Sequence, residues 1–338
     1  MAKSLVLSKV WYHSVVAPPS PSHIQQVNVL LRKLVWQNRH THPASITTSS
    51  LPLEDGGISY PDFKMETDIR VAKLISSTFS PSPPPYWLKC ANMVIQSSTN
   101  SSIPNLILSH RSTYLDYEPF RSGNKAASQL ERLAPTTILD SPTLPSLRSI
   151  LRFSPPTPLT PYNPSPFLHP FTWSEIWHRH RPRKMADILW KIGHQQVPTG
   201  SKSATFATDG PDCPWCPGTV NSIAHLFHDC PMAAMIWAQT IQVAMLLVDS
   251  LTPLDDLIHH PSLSFQRIGR ILQTVAIYTK WIAYTDRAFA TPTPFLKNRQ
   301  DISNLLLSHI LTQRTLDIQA HRSPWPPPSQ ITHIFIIN

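Results

Sequence analysis

Apolar residues recur at helical spacing in several places along the chain. Over residues 22–37, Ile24, Val27, Leu30, Leu31, Leu34 and Val35 fall on one face of an amphipathic helix, with Ser22 placed to cap it. Ile69, Ala72 and Ile75 predict a second helix over 66–79. Met185, Ile188, Leu189 and Ile192 share the face of a third, bounded by Pro182 and Pro198. Residues 232–248 and 267–289 read as longer helices and 304–314 as a shorter one. Breaks in the pattern are as informative. The stretch 51–62 carries Gly56 and Gly57 and reads as a turn-rich connector. Pro81, Pro83, Pro84 and Pro85 make 80–86 an extended spacer, and no periodic pattern crosses the proline-rich segment 154–170, the clearest candidate boundary. Residues 90–153 offer only short helical fragments among Ser, Thr and Asn, and the proline-rich 323–329 is expected to fray. No repeat of fixed period is present.

Composition turns these elements into a chain of pieces. The 338 residues, 41% of them hydrophobic, suffice for one large domain or two ordinary ones, but 36 prolines against 8 glycines favour folded parts joined by irregular segments. The expected divisions are a helical segment at 1–79, an irregular proline-rich linker region at 80–170, a domain at 171–245, a helical segment at 246–322 and a tail at 323–338. A formal charge of +9 biases the chain toward polyanionic partners, and a charged fraction of only 14% suggests that part of the surface meets another domain or protein. Residues 1–16, broken by Lys9 and His13, make a poor signal peptide. The apolar run 232–248 is short and interrupted by Gln239 and Gln242. No membrane partner is expected, and an intracellular location, nuclear or cytoplasmic, is preferred to secretion.

Three of the four cysteines lie close together, in the pattern C-x2-C-x8-H-x4-C formed by Cys213, Cys216, His225 and Cys230. Three thiolates and one imidazole are what a tetrahedral zinc ion accepts, and two intervening residues let the first pair of sulfurs turn toward one metal. Pro217 and Gly218 supply the bend. With every position filled by protein no place is left for an activated water, so Zn2+ here would be structural. Such a site contributes roughly 10 to 16 kcal/mol of apparent free energy in small modules. His228 is a competing ligand, disfavoured by the tight chelate it would form with Cys230, and chance clustering in a chain with 16 histidines is the alternative to any site at all. Cys90, isolated, reads as a small buried hydrophobe. The fold class expected is mainly α, with several helical segments, a small zinc-knuckle-like module and proline-rich linkers.

These residues resemble the zinc-binding region that follows the polymerase in LINE-type, non-LTR retrotransposon reverse transcriptases. The resemblance runs through Phe171, Trp173 and Trp177, then Trp190, the Pro198–Thr199 pair, the Cys213 to Cys230 cluster and Trp237. Trp11, Tyr12, Lys33, Trp36 and the Gly56–Gly57 stretch are similar to the segment after the polymerase thumb, and 277–289 to a Trp-containing helix near the family's end. Where the family often has a Glu-Thr pair before the histidine, this chain has Asn221 and Ser222, a departure that bears against a capping contact there and not against the metal. The resemblance implies a reverse transcriptase zinc-binding domain and, as a possible partner, a polymerase encoded upstream. The polymerase itself needs an Asp-Asp pair for its metal ions, and the nearest string, Tyr284 to Arg287, has only Asp286. The chain is therefore expected to be no enzyme, and to derive from a truncated element or an incomplete gene model.

Arg179, Arg181, Arg183 and Lys184 crowd together ahead of the cluster, with Lys191 and Lys202 nearby, and Trp215 stands between the first two cysteines. The cations can neutralise phosphates and the indole can stack on an unpaired base, which points to RNA or single-stranded DNA. The structural alternative makes the cations a solvated turn and Trp215 a cover over the metal core. Trp173, Trp177, Trp190 and Trp237 sit at helical positions and are expected to pack. The expected function is a zinc-binding, nucleic-acid-binding accessory region; the alternatives are a zinc-stabilised protein-interaction module and a non-functional relic.

Overall fold

A computed structural model of the chain describes residues 20–35, 45–60, 62–76, 159–204, 210–248, 263–288, 297–322 and 325–336, with single positions 86, 89, 93 and 207. The readings made for Trp11, Tyr12, Trp36, Cys90, the 80–85 spacer and the stretch 94–158 lie outside the described residues. What is described is mainly helical and divides into two units, Met1–Leu51 with Ile58–Pro156, and Pro52–Gly57 with Thr157–Asn338.

In the first unit, helices α1 (Pro21–Val35), α2 (Ile46–Ser50) and α3 (Phe63–Ser76) follow one another. The cap of α1 is Ser20 and not Ser22: the His23 amide donates to Ser20 Oγ at 3.3 Å. Pro21 explains the shift, since its fixed φ and missing N–H suit the first helical position. α3 begins three residues before its expected start at 66 because Asp62 caps it, accepting from the Met65 amide at 3.1 Å. Leu31, Tyr60 and Phe63 form the buried centre, with Ile24, Val27 and Ile58 packed on it. The Tyr60 hydroxyl donates to the Asn28 carbonyl at 3.2 Å, and burial pushes its pKa up to about 12.

The second unit is built around one long helix. After the short α4 (Trp173–Ile176) and α5 (Arg183–Gly193), a hairpin of β1 (Asp212–Cys213) and β2 (Cys216–Val220) leads through a π-helical turn (His225–Asp229) into α6 (Pro231–Val248), α7 (Leu263–Ala288), α8 (Arg299–Gln319) and α9 (Pro328–Ile336). α7 packs against α5, α6 and α8, and residues 268–277 are buried on every side. Its buried polar groups are satisfied internally: Gln273 Nε2 donates to the Phe167 carbonyl at 2.9 Å, and the Thr274 hydroxyl to the Arg270 carbonyl at 2.7 Å. α8 opens with a reciprocal cap between Asn298 and Asp301.

Three sequence expectations change here. Residues 159–170 are no linker: the Tyr162 amide donates to the Gly193 carbonyl at 3.0 Å, the Trp173 indole donates to the Leu159 carbonyl, and Leu168 is fully buried. Proline removes periodicity without preventing burial. Pro52–Gly57, read as a mere connector, belongs to the second unit, where the Gly56 carbonyl accepts from the Trp190 indole at 2.8 Å and lies 2.6 Å from His194 Nε2. The tail does not fray from 325 on, because Trp325 is buried, donates to Asp317 at 3.1 Å, and precedes α9 with its buried Ile331 and Phe335. Among the described residues, no helix is long and apolar enough to cross a membrane.

Candidate metal centre

The hairpin sets the first two ligands. β1 and β2 pair antiparallel with Cys213 opposite Cys216, so Pro214 and Trp215 form the tight end and the two thiols stand side by side. The other two ligands come from the π-helical turn, which Ser222 starts by accepting the His225 amide at 3.0 Å. The capping contact that the Asn221–Ser222 pair was expected to lack is therefore present, supplied by Ser222. The turn closes with the Cys230 amide donating to the His225 carbonyl at 2.8 Å, a ring one residue wider than an α-helical one. That width returns Cys230 to the side of His225. Cys230 then heads α6, its carbonyl accepting the Ala233 and Ala234 amides at 2.8 and 2.9 Å.

The donor atoms of Cys213, Cys216, His225 and Cys230 all lie within 4.8 Å of one another. Cys230 Sγ is 3.9 Å from Cys213 Sγ and 3.8 Å from Cys216 Sγ. Tetrahedral bonds of about 2.3 Å to sulfur give sulfur–sulfur edges of about 3.8 Å, so these separations match the edges a zinc ion requires. His225 Nε2 is buried without a hydrogen-bond partner among the described residues, as a nitrogen reserved for a metal would be. His228 is outside the group and turns Nδ1 to Asp229 at 2.8 Å. The four residues fit a structural Zn2+, which would cross-link hairpin, turn and helix.

Electrostatics around the sulfurs favour thiolate at one of them. A hydrogen bond from Cys213 holds the Cys230 thiol below its usual range, and the Lys280 ammonium and the Met232 amide act the same way against burial. Cys213 is pushed up by that same hydrogen bond and by burial. Burial and the charge of Cys230 raise Cys216. Lys280, on α7, is 1% exposed and donates to Cys230 Sγ at 3.3 Å; its ammonium also lies 3.8 Å from the centre of the Trp215 ring. Burial lowers the Lys280 pKa, with the three cysteines opposing the shift.

Residues 165–237 match the family described as zinc-binding in reverse transcriptase. The matched segment begins inside the proline-rich stretch and ends at Trp237, whose indole donates to the Phe227 carbonyl of the ligand-bearing turn at 2.9 Å. No curated protein and no solved structure matches the chain.

The basic residues near this segment separate into two kinds. Arg179, Arg183, Lys184 and Lys202 are exposed, with Arg183 5.9 Å from the Trp177 ring and Lys202 donating to the Gln195 carbonyl at 2.6 Å. Lys191 is half-buried and paired with Asp187 one helical turn away. Arg181 corrects the sequence expectation. It is 3% exposed, and its guanidinium donates to the Glu175 and Arg270 carbonyls at 2.7 and 3.1 Å, to Thr274 at 2.8 Å and to Gln273 at 2.8 Å, which leaves it no access to a phosphate. Trp215 is half-buried, with Lys280 on its ring and its indole N–H donated to the Lys297 carbonyl at 3.0 Å. Trp173, Trp190 and Trp237 are buried as expected, and Trp177 is half-buried. Sequence reading missed Lys280 and Arg270, the latter bound to Glu175 by both its Nε and a terminal nitrogen at 2.8 and 3.0 Å. Both lie on α7, distant in sequence from what they touch.

Proposed function

We propose that the chain is a nucleic-acid-binding accessory region of a LINE-type, non-LTR reverse transcriptase, which holds template RNA or single-stranded target DNA beside a polymerase and does not polymerise by itself. The observation that carries this reading is the exposed cationic group of Arg179, Arg183 and Lys184 at the start of α5, inside a segment matching a reverse-transcriptase zinc-binding family. Zinc holds the segment together, and the cations supply phosphate contacts. Lys202 adds a further exposed ammonium on the same segment. Contacts of this kind release counterions, so affinity for a single strand falls with a log–log salt slope of about −0.7 per phosphate neutralised.

The test is a fluorescence titration of single-stranded RNA and DNA oligonucleotides at several salt concentrations, with the zinc-loaded chain and an Arg179→Ala/Arg183→Ala/Lys184→Ala variant. Binding that weakens steeply with salt, and a slope reduced by about 2 in the variant, supports the reading. A parent that binds no oligonucleotide while retaining its zinc would reject it. The inward commitment of Arg181 favours a second reading, a zinc-stabilised protein-interaction module. Capture of a protein partner by a chain indifferent to oligonucleotides would support that one.

A further inference from the structure

We propose that Lys280 is the built-in counter-ion of the zinc–thiolate centre, so that the centre is completed by α7, well beyond the segment that carries its ligands. A zinc ion with three thiolates and one neutral imidazole carries one net negative charge. Placed under a folded domain, that charge needs compensation from a positive group or from water. Lys280 is the group in place: its ammonium donates to Cys230 Sγ at 3.3 Å and the residue is 1% exposed, so it cannot reach solvent as a surface lysine does.

A buried ammonium requires an anion, and among the described residues no carboxylate pairs with Lys280; the group that accepts its hydrogen bond is Cys230 Sγ. Its other contact is the Trp215 ring at 3.8 Å, and that ring is itself pinned by the Lys297 carbonyl. Trp215, Lys280 and Cys230 therefore form a stack in which the indole fixes the ammonium and the ammonium faces the sulfur. A facing cation offsets the net negative charge of the buried centre and so favours retention of the metal, while its hydrogen bond to the sulfur makes that sulfur a poorer nucleophile.

The experiment uses the full zinc-loaded chain and its Lys280→Met, Lys280→Gln and Lys280→Arg variants. Zinc affinity is measured by chelator competition, and the alkylation rate of each cysteine by iodoacetamide, resolved by peptide mass spectrometry. In that reaction the thiolate sulfur forms a bond to the reagent's methylene carbon as iodide leaves. Loss of affinity of about 10- to 100-fold in Lys280→Met, with faster alkylation at Cys230 than at Cys213 and recovery of both in Lys280→Arg, is the expected result. Lys280→Gln keeps a donor for Cys230 without the charge, and carries the same test should methionine not fold. Affinity unchanged within twofold, or acceleration shared equally by all three cysteines as loosened packing would give, overturns the proposal. The inference rests on the zinc reading and is independent of nucleic-acid binding. A parent that loads no zinc would overturn both zinc and counter-ion, whereas variants that load zinc as the parent does overturn the counter-ion alone.

Discussion

At the scale of single residues, the cluster concentrates its stabilising effect in four side chains. Cys213 and Cys230 are almost wholly buried, and His225 Nε2 has no other partner among the described residues, so removing one ligand leaves the remaining donors arranged for a metal they can no longer hold. We expect one zinc per chain in the parent, read by elemental mass spectrometry against protein concentration, and loss of zinc affinity of at least about 100-fold in Cys213→Ser and in His225→Ala. One zinc retained by both variants would exclude the assignment. These ligands were legible in the sequence because all four fall within one hairpin and one turn, where spacing alone limits geometry. Lys280 was not legible: it lies 3.3 Å from Cys230 in space, but only the packing of α6 on α7 brings it there. Arg181 was misread for the same reason, since its sequence neighbours are surface cations and its partners Gln273 and Thr274 are on α7.

At the scale of elements, the contact between α4 and the Pro52–Gly57 loop depends on a residue without a side chain. Gly56 has φ of +90°, and a Cβ built there would come within 2.7 Å of Trp173 Cε2, a ring held by its own hydrogen bond to the Leu159 carbonyl. Gly56→Ala is expected to destabilise the second unit by about 2 kcal/mol or more, combining backbone strain with a ring that cannot give way, as a lowered denaturant midpoint would register. The joint between α4 and α7 gives a second expectation. Glu175, although raised by burial, is held below its usual range on balance by Arg270, Arg181 and His178. His178 and His180 are lowered by burial and then by neighbouring charges, His180 to about 4. All three shifts are downward, so each contributes stability above its unfolded pKa and loses it as pH falls: the histidines from about 6.5 downward, the carboxylate below about 4.5. Denaturant midpoints should therefore decline between pH 7.5 and 5, and His178→Asn/His180→Asn should flatten that decline; an unaltered slope would sink this account. Helices were the legible part of the fold, since an apolar stripe needs no knowledge of its partner. Their starts were less so, because Ser20 and Asp62 cap where the apolar pattern has not yet begun.

At the scale of the whole chain, the division into two units falls between Pro156 and Thr157, within the proline-rich stretch. What periodicity could not reveal is how far the second unit extends. It takes in residues 159–170 and Trp325 through α9, which lack a helical apolar pattern or are too short to show one, because backbone carbonyls and single large side chains tie them down. It also takes in α7 and α8, expected to be a separate C-terminal segment. The packing of α6 makes this extension obligatory. That helix is apolar around most of its circumference, with Met232, Ala233, Ile236, Trp237, Val243 and Ala244 buried, and its covers are the ligand-bearing turn, α7, α8 and α9. Fully burying a large apolar side chain is worth about 1.5 to 3 kcal/mol, so exposing several at once exceeds the net stability of an ordinary domain. A chain ending at Val248 keeps all four zinc ligands and the whole segment matching the family, yet loses Lys280 and every helix that covers α6. We expect it to show no cooperative unfolding transition and to bind a hydrophobic dye even with zinc present, while the full chain does neither. If the shortened chain instead unfolds cooperatively with one zinc bound, the matched segment is autonomous, and α7 through α9 are a later layer on a metal module that needs no help to fold.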